Sequence, residues 1–240
     1  IELPYDSSEA LSEEPAPIAA EVTAVEQVAA DIVRLEVQAA QALVFEPGQY
    51  VRIQPAGASF HRSYPMANVP GTDRLEFFVR LVGGGAFSDW LATARPGDAV
   101  TLSTPHGTFF LRDEDRPRLF VAGGTGVAPF LSMLRSLAAS ASAQPTTLLV
   151  GARTPGHLFA MDELQRLGRQ LPALDLQIAV EEQAAPGCHA GYATDLITKL
   201  GLDPATRVYL CGPPPMVEAG RRAAEAAGLK RADVLCERFT

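Results

Sequence analysis

This 240-residue chain lacks the features that mark several common protein classes. Its three cysteines are widely spaced and odd in number, so we expect no disulfide framework, no metal site and a reducing cytoplasm. No run approaches the roughly 18–20 apolar residues of a membrane-spanning helix, and we expect no membrane contact. The net charge of −8 argues against a nucleic-acid partner, which usually requires a basic surface. One cysteine adjoins a histidine, Cys188–His189, but with no second such pair nearby we expect an ordinary loop.

What the chain does contain is the composition of a core-forming protein, with 47% hydrophobic and 20% charged residues. Over residues 18–115, short alternating strands separated by Gly and Pro turns predict an antiparallel β-barrel with one short helix, Phe87–Thr93. Over residues 116–240 the pattern changes to strand–helix alternation, which predicts a parallel α/β sheet with helices near 128–139, 160–170, 192–199 and 214–227. The predicted fold is a β-barrel followed by an α/β domain.

Residues 1–17 differ from both predicted domains. Residues 6–17 are rich in Ser, Glu, Ala and Pro, a composition typical of a solvated linker. The preceding IELPY resembles the last strand of another domain. We therefore expect residues 1–17 to be a residual strand and linker from a missing N-terminal domain.

Two motifs in the second half carry the strongest signal. FVAGGTGVAPF (Phe120–Phe130) is an apolar strand, a Gly-rich turn and a helix start, and glycines there let the backbone approach a ligand closely. CGPPPM (Cys211–Met216) ends a second strand in a similar way. Two such turns at one sheet edge predict a nucleotide-binding crevice, although neither has the GxGxxG spacing nor the P-loop pattern.

Two further motifs lie in the predicted barrel. HRSYPMAN (His61–Asn68) places a cation, a hydroxyl and an aromatic ring side by side, which is compatible either with an ordinary edge strand or with a ligand site. GGGAFSDWL (Gly83–Leu91) has three glycines that open a helix with a serine in its first turn, a pattern suited to a diphosphate. Arg62 could neutralise that diphosphate bidentately, and Tyr64 could stack on a planar ring.

Together these motifs resemble the ferredoxin–NADP reductase superfamily, and within it the reductase components of multicomponent aromatic-ring, Rieske-type oxygenases. The resemblance covers residues from about 19 to 240 and includes a terminal Glu-Arg-Phe. It implies an antiparallel Greek-key FAD-binding barrel followed by a parallel-sheet domain that binds a nicotinamide dinucleotide. The four matching segments are Arg62–Pro65 (Arg-x-Tyr-Ser in the family), Gly85–Ser88 (Gly-x-x-Ser), Gly123–Pro129 (GGTGxAP) and Cys211–Met216.

The resemblance also implies which residues hold the cofactors. The FAD-binding residues would be Arg62, Ser63, Tyr64, Pro65, Phe78, Val79, Arg80, Gly84, Gly85, Ala86, Phe87, Ser88 and Phe239. The nicotinamide dinucleotide would contact Gly123, Gly124, Thr125, Gly126, Arg153, Cys211, Gly212, Pro213, Pro214 and Met216. The residues closest to the chemistry would be Cys211, Tyr64 and Glu237.

Two positions refine this expectation. Where most of the family has Ser or Thr beside the flavin, this chain has Pro65, which offers neither a side-chain donor nor an amide. The strand TTLLVGA is followed by a single basic residue, Arg153, whereas a 2′-phosphate favours Arg clusters. The sequence therefore favours NADH over NADPH.

The expected function is FAD-dependent NADH oxidation that passes electrons to an iron–sulfur carrier feeding an oxygenase. The partners would be a ferredoxin domain or separate ferredoxin and a terminal oxygenase component. A [2Fe-2S] cluster is expected only in the missing N-terminal domain, because its four closely spaced cysteines do not occur here. The alternatives are the reductase half of a diiron or haem monooxygenase, a free flavin reductase, or a non-catalytic flavin-binding electron-relay subunit.

Overall fold

The computed structural model describes residues 15–183 and 186–239. The described residues therefore do not include the expected N-terminal strand or most of the expected linker. The expectation of a preceding domain also falls on residues outside the described ranges. Within the described linker, Pro15–Pro17 are exposed and belong to no helix or strand. Of the helices in the described part of the chain, none is long and apolar enough to cross a membrane.

The first half forms a six-stranded antiparallel sheet that curls into a half-barrel, which confirms the predicted β-barrel fold. The strand order is β4-β3-β6-β1-β2-β5. Past the end of β4, the Ala67 amide donates to the Glu76 carbonyl on β5 at 2.9 Å, so the two edges of the sheet approach each other. The elements are β1 (Ile18–Ala29), β2 (Ile32–Leu43), β3 (Tyr50–Pro55), β4 (Arg62–Pro65), β5 (Thr72–Arg80), α1 (Ala86–Leu91) and β6 (Ala99–Leu102).

The inside of this half-barrel is filled by alternating strand residues. On β2, Leu35 and Val37 are buried, while the alternating residues Arg34 and Glu36 are partly exposed to solvent. Phe77 on β5 belongs to the same core. This period of two is what a sheet with one buried face requires, and it explains why the sequence pattern predicted these strands.

The second half is a six-stranded parallel sheet in the order β10-β9-β8-β7-β11-β12, which confirms the predicted α/β domain. Its strands are β7 (Arg118–Gly123), β8 (Thr146–Ala152), β9 (Leu174–Val180), β10 (His189–Ala190), β11 (Arg207–Gly212) and β12 (Val234–Arg238). Its helices are α2 (Val127–Ala139), α3 (Met161–Gln170), α4 (Thr194–Ile197) and α5 (Pro214–Ala226).

Two local predictions in this half were inaccurate. His189 lies in the short edge strand β10 rather than in a loop, because a two-residue strand has no alternation that a sequence could display. The helix expected near 192–199 is only four residues long, α4, and it begins soon after Gly191, whose φ is +124°. Neither correction affects the residues expected to bind cofactors.

The two faces of the parallel sheet pack against different partners. Leu119 and Leu210 point to a core that α4 and α5 complete. Phe120 and Cys211 point to the opposite core, which is shared with α2 and α3 and continues into barrel residues such as Phe78. The two halves of the chain are therefore joined through a continuous apolar core on this face.

Candidate functional site

The strand order places the two ligand-binding motifs next to each other. From β7 the chain passes through β8 and β9 to one side of the sheet, whereas β11 pairs with the other side of β7. Strand order therefore reverses between β7 and β11, and in open α/β sheets ligands bind at the carboxyl ends of strands at such a point. The turns that follow β7 and β11 both lie there.

The turn after β7 (Gly123–Gly126) is pressed against β11. A Cβ on Gly126 would overlap the carbonyl oxygen of Cys211 and would lie 2.6 Å from its carbonyl carbon. Gly124 has a φ of +54°, a conformation that favours glycine, and no heavy atom lies within 4 Å of where its Cβ would be. One side of the turn is thus closed by β11 and the other is open to a ligand.

The turn after β11 (Gly212–Met216) starts helix α5. Gly212 is buried, while Pro213 and Pro214 are exposed at the mouth of the crevice. Proline suits the first turn of a helix because it needs no amide donor there. A Cβ on Gly123 would lie 2.5 Å from the sulfur of Met216, so the two turns are in direct contact. The predicted nicotinamide motifs are therefore brought together.

Cys211, Glu237 and Phe239 meet at this edge of the sheet. Cys211 is fully buried, and burial raises the pKa of its thiol, which stays protonated. Glu237 is paired with it in register on β12, and burial also raises the pKa of this carboxyl group. The Phe239 amide donates to the Gly212 carbonyl at 3.1 Å, so the end of the described chain is tied to the turn after β11.

The expected flavin residues form a second group, on the barrel. Arg62 is exposed and donates to the neighbouring His61 carbonyl at 2.8 Å, and among the described residues it makes no ion pair. The Tyr64 ring lies 4.9 Å from the Phe87 ring on α1, and burial raises the pKa of its phenol. The strand motif and the Gly-rich motif, about twenty residues apart, are thus adjacent in space. Ser63 is exposed and Pro65 is buried on the same strand.

The loop before α1 is open to solvent. Gly84 is exposed with a φ of +72°, and a Cβ there would meet nothing within 4 Å. Ser88 accepts a hydrogen bond from the Val82 amide at 2.9 Å, which closes the loop and leaves its hydroxyl hydrogen free to donate. Gly85 is partly exposed, and Ala86 is exposed at the helix start. An exposed guanidinium on the strand whose Tyr64 packs against α1, together with the open glycine loop before that helix, is compatible with the diphosphate of FAD.

Three other expected flavin residues have contacts within the protein. The Phe78 ring packs 4.7 Å from the ring of Phe159 in the other half of the chain. Val79 is fully buried in the barrel core, and Arg80 pairs with Asp31 at 3.0 Å. Any contact of Phe78 or Val79 with FAD would therefore involve the backbone. Their assignment stays a prediction.

Arg153 lies beyond the end of β8 in a small polar cluster. Its guanidinium is 3.4 Å from His157 Nε2, and Thr154 is 2.7 Å from His157 Nδ1. His157 also approaches Asp31 of the barrel, at 4.0 Å. His157 could not be predicted from the sequence, because a histidine four residues after Arg153 fits no known spacing pattern.

Comparisons with known proteins agree with this geometry. Residues 19–111 match the family described as "Oxidoreductase FAD-binding domain", and residues 120–222 match "Oxidoreductase NAD-binding domain". The toluate 1,2-dioxygenase electron transfer component of Pseudomonas putida is 34% identical over 92% of this chain and 67% of its own length. The chain belongs to the ferredoxin–NADP reductase superfamily. It is an FAD-dependent oxidoreductase with an FAD-binding barrel and an NAD-binding α/β half.

Other members of the superfamily give the same assignment. The propane 2-monooxygenase reductase component of Mycolicibacterium goodii is 36% identical over 92% of this chain and 67% of its own length. Methane monooxygenase component C of Methylosinus trichosporium is 42% identical over 74% of this chain and 55% of its own length. The chain therefore spans about half to two thirds of the length of these relatives. Among solved structures, the Amycolatopsis cytochrome P450 reductase GcoB has a TM-score of 0.88 and 30% identity, over 94% of this chain and 70% of its own.

Proposed function

We propose that this chain carries electrons from NADH, through bound FAD, to an iron–sulfur carrier that serves an oxygenase. The observation that carries the proposal is the direct contact between the turns after β7 and β11 at the carboxyl end of the parallel strands, next to Cys211, which faces the core shared with the barrel. The names of its relatives, which are electron transfer and reductase components of dioxygenases and monooxygenases, support the choice of acceptor.

The proposed FAD site uses groups of the barrel half. Arg62 would bind the diphosphate together with the backbone amides around Gly84, and Tyr64 would hold the flavin ring from its position against Phe87. When bound, FAD accepts a hydride from a nicotinamide and releases the two electrons singly. The contribution of the protein is to bind and orient the reacting groups and to exclude water from them.

In the α/β half, the proposed role of Cys211 is orientation. Its thiol is fully buried and its raised pKa keeps it protonated, so it is suited to pack against a nicotinamide ring rather than to act as a nucleophile. Phe239 would cover the flavin from the other side, and its backbone bond to Gly212 holds it next to the turn after β11. Glu237 would lie at the edge of the same pocket, where burial raises the pKa of its carboxyl group.

The preference for NADH is part of the proposal. The loop after β8 offers one cation, Arg153, and the next basic residue, Arg166, is engaged with Glu163 on α3 at 3.6 Å. Such a loop is better suited to a free ribose hydroxyl than to a 2′-phosphate. We also propose a cytoplasmic location, because all three cysteines are free thiols.

The flavin site can be tested first. The purified chain should release FAD rather than FMN on denaturation, because a monophosphate would leave half of the diphosphate site empty.

Arg62→Ala should lose most of its flavin, measured as bound flavin per protein after gel filtration. Arg74→Ala, which removes an exposed cation of β5, is the matched control and should keep it. Equal flavin retention by both variants would contradict the assigned role of Arg62.

The nicotinamide preference and the acceptor can be tested in one assay series. With ferricyanide as acceptor, kcat/KM for NADH should exceed that for NADPH at least ~10-fold, a difference that needs only ~1.4 kcal/mol of differential binding. Turnover with a [2Fe-2S] ferredoxin should exceed turnover with free flavin. Equal rates with the two nucleotides, or faster reduction of free flavin, would contradict the proposal.

A second candidate follows from one structural neighbour. GcoB is described as a cytochrome P450 reductase, so a haem monooxygenase is an alternative partner system for this chain. Direct reduction of a P450 haem by the chain and NADH, without an added ferredoxin, would favour this candidate over the dioxygenase system.

A further inference from the structure

Helix α2 begins directly after the turn that follows β7, and it also contacts the barrel segment that follows β4. Its first residue, Val127, follows the turn after β7 directly. Less than three turns later, Ser132 Oγ donates to the Asn68 carbonyl at 2.7 Å, and Arg135 Nη1 donates to the Ala67 carbonyl at 2.7 Å. Ala67 lies only two residues after β4, which carries the Arg-x-Tyr motif. One helix therefore joins the nicotinamide turn to the segment that leaves the proposed flavin strand.

The Arg135 guanidinium is held on several sides. Its Nε and Nη2 donate to the two carboxylate oxygens of Glu163 on α3, at 2.7 and 2.8 Å. Its Nη1 also donates to Glu76 on β5, at 2.5 Å. The three side chains are only 14–20% exposed. A guanidinium that donates to two carboxylates in this way fixes the relative positions of the elements that carry them. It adds less stability, because burying the charges costs solvation free energy.

The barrel side of this contact is equally constrained. The Ala67 amide donates to the Glu76 carbonyl at 2.9 Å, and the Glu76 amide donates to the Asn68 side chain at 3.1 Å. Residues 67–68 are therefore fastened to β5 by their own hydrogen bonds and to α2 by Ser132 and Arg135. A shift of α2 would move the turn after β7 relative to β4.

We propose that Ser132 and Arg135 are positioning residues, which set the distance between the nicotinamide turn and the flavin strand β4 through the backbone of Ala67 and Asn68. This rests on the proposed function. A misplacement of about 1 Å can cost roughly 100-fold in rate when two reacting groups must meet. Loosening the contact should therefore slow hydride transfer while leaving each ligand bound.

The test compares Arg135→Lys, which keeps the charge but loses the fork, with Ser132→Ala, which removes one neutral hydrogen bond. The matched control is Arg207→Lys. Arg207 also donates bidentately to a carboxylate, Glu114, at 2.8 and 3.0 Å, but it lies at the opposite end of β11 from Cys211. Flavin content, NADH affinity, melting temperature and the limiting rate of flavin reduction under anaerobic conditions are measured for all variants.

We expect the limiting rate to fall about tenfold or more in Arg135→Lys, and by a smaller factor in Ser132→Ala. Flavin content and electron release from dithionite-reduced protein to ferricyanide should stay unchanged. Arg207→Lys should keep the wild-type rate. Amide hydrogen exchange of peptides that contain residues 67–68 and 124–131 should accelerate in Arg135→Lys but not in Arg207→Lys.

The outcomes separate this inference from the proposed function. If NADH does not reduce the wild-type protein, the proposed function fails. If it does, and both variants retain the wild-type rate, the positioning role is wrong. An equal loss of rate in Arg207→Lys would show a general effect of stability and would also overturn it. Should Arg135→Lys not fold, a wild-type rate in Ser132→Ala is sufficient to reject the inference.

Discussion

At the scale of single residues, Cys211 has the surroundings of an orienting group. It is fully buried, its thiol stays protonated, and its carbonyl lies against Gly126 of the neighbouring turn. Cys211→Ala should lower the limiting rate of flavin reduction by NADH much more than it weakens NADH binding, because alignment is expressed mainly in the transition state. Stopped-flow reduction at several NADH concentrations separates the two quantities. An unchanged limiting rate would remove Cys211 from the reaction.

Glu237 provides a test by pH. Burial raises its pKa above the ordinary value of 4.5, so over the pH range between the unfolded and folded pKa the folded state binds more protons than the unfolded state. Stability of the wild type therefore falls as pH rises through that range, and Glu237→Gln removes this loss. We therefore expect the melting temperature of Glu237→Gln, minus that of the wild type, to be lowest below pH 4.5. This difference should increase as the pH rises above 4.5.

The control for this titration is Glu218. Its hydrogen bond from Arg221 holds its pKa below the ordinary value, so its charged form stabilises the fold, and this contribution is lost as pH falls. Glu218→Gln should therefore show the opposite trend or none. The same pH dependence in both variants would contradict the assignment of the effect to burial of Glu237.

At the scale of structural elements, the start of α2 depends on close packing against β11. Gly126→Ala would place a methyl group on the backbone of Cys211, and the helix start would have to move. We expect a loss of about 1–3 kcal/mol in the free energy of unfolding and a slower reaction with NADH. Gly168→Ala on α3, where a Cβ meets nothing within 4 Å, should be stabilising by about 0.4–1 kcal/mol. Chemical denaturation of the two variants measures the difference.

A Gly126→Ala protein as stable as the wild type would contradict the packing argument. The same would follow if Gly168→Ala lost as much stability as Gly126→Ala, since the effect would then be a general one of replacing glycine.

Most elements could be predicted from the sequence because their periodicity is local. Strands such as β2 alternate buried and exposed residues, and the glycines of the turn after β7 are adjacent in the chain. The two-residue strand β10 has no pattern to detect. The bonds from Ser132 and Arg135 to residues 67–68 join positions more than 60 apart, and a serine and an arginine inside a helix carry no sign of such partners.

At the scale of the whole molecule, the sequence indicated two domains and the motifs in each, but not how the domains meet. The interface depends on contacts such as that between the Phe78 and Phe159 rings, which join residues about eighty positions apart. Phe78 is apolar and lies in a strand, so its pattern alone suits either the barrel core or a surface buried by another domain. Only the packed structure distinguishes the two.

The proposed function depends on one reaction, the reduction by NADH of FAD bound to this chain. The direct measurement is to mix the FAD-loaded protein with NADH under anaerobic conditions and to follow the visible absorbance of the flavin by stopped flow. We predict complete bleaching, faster with NADH than with NADPH. A flavin that dithionite reduces but NADH leaves oxidised would contradict the proposed function.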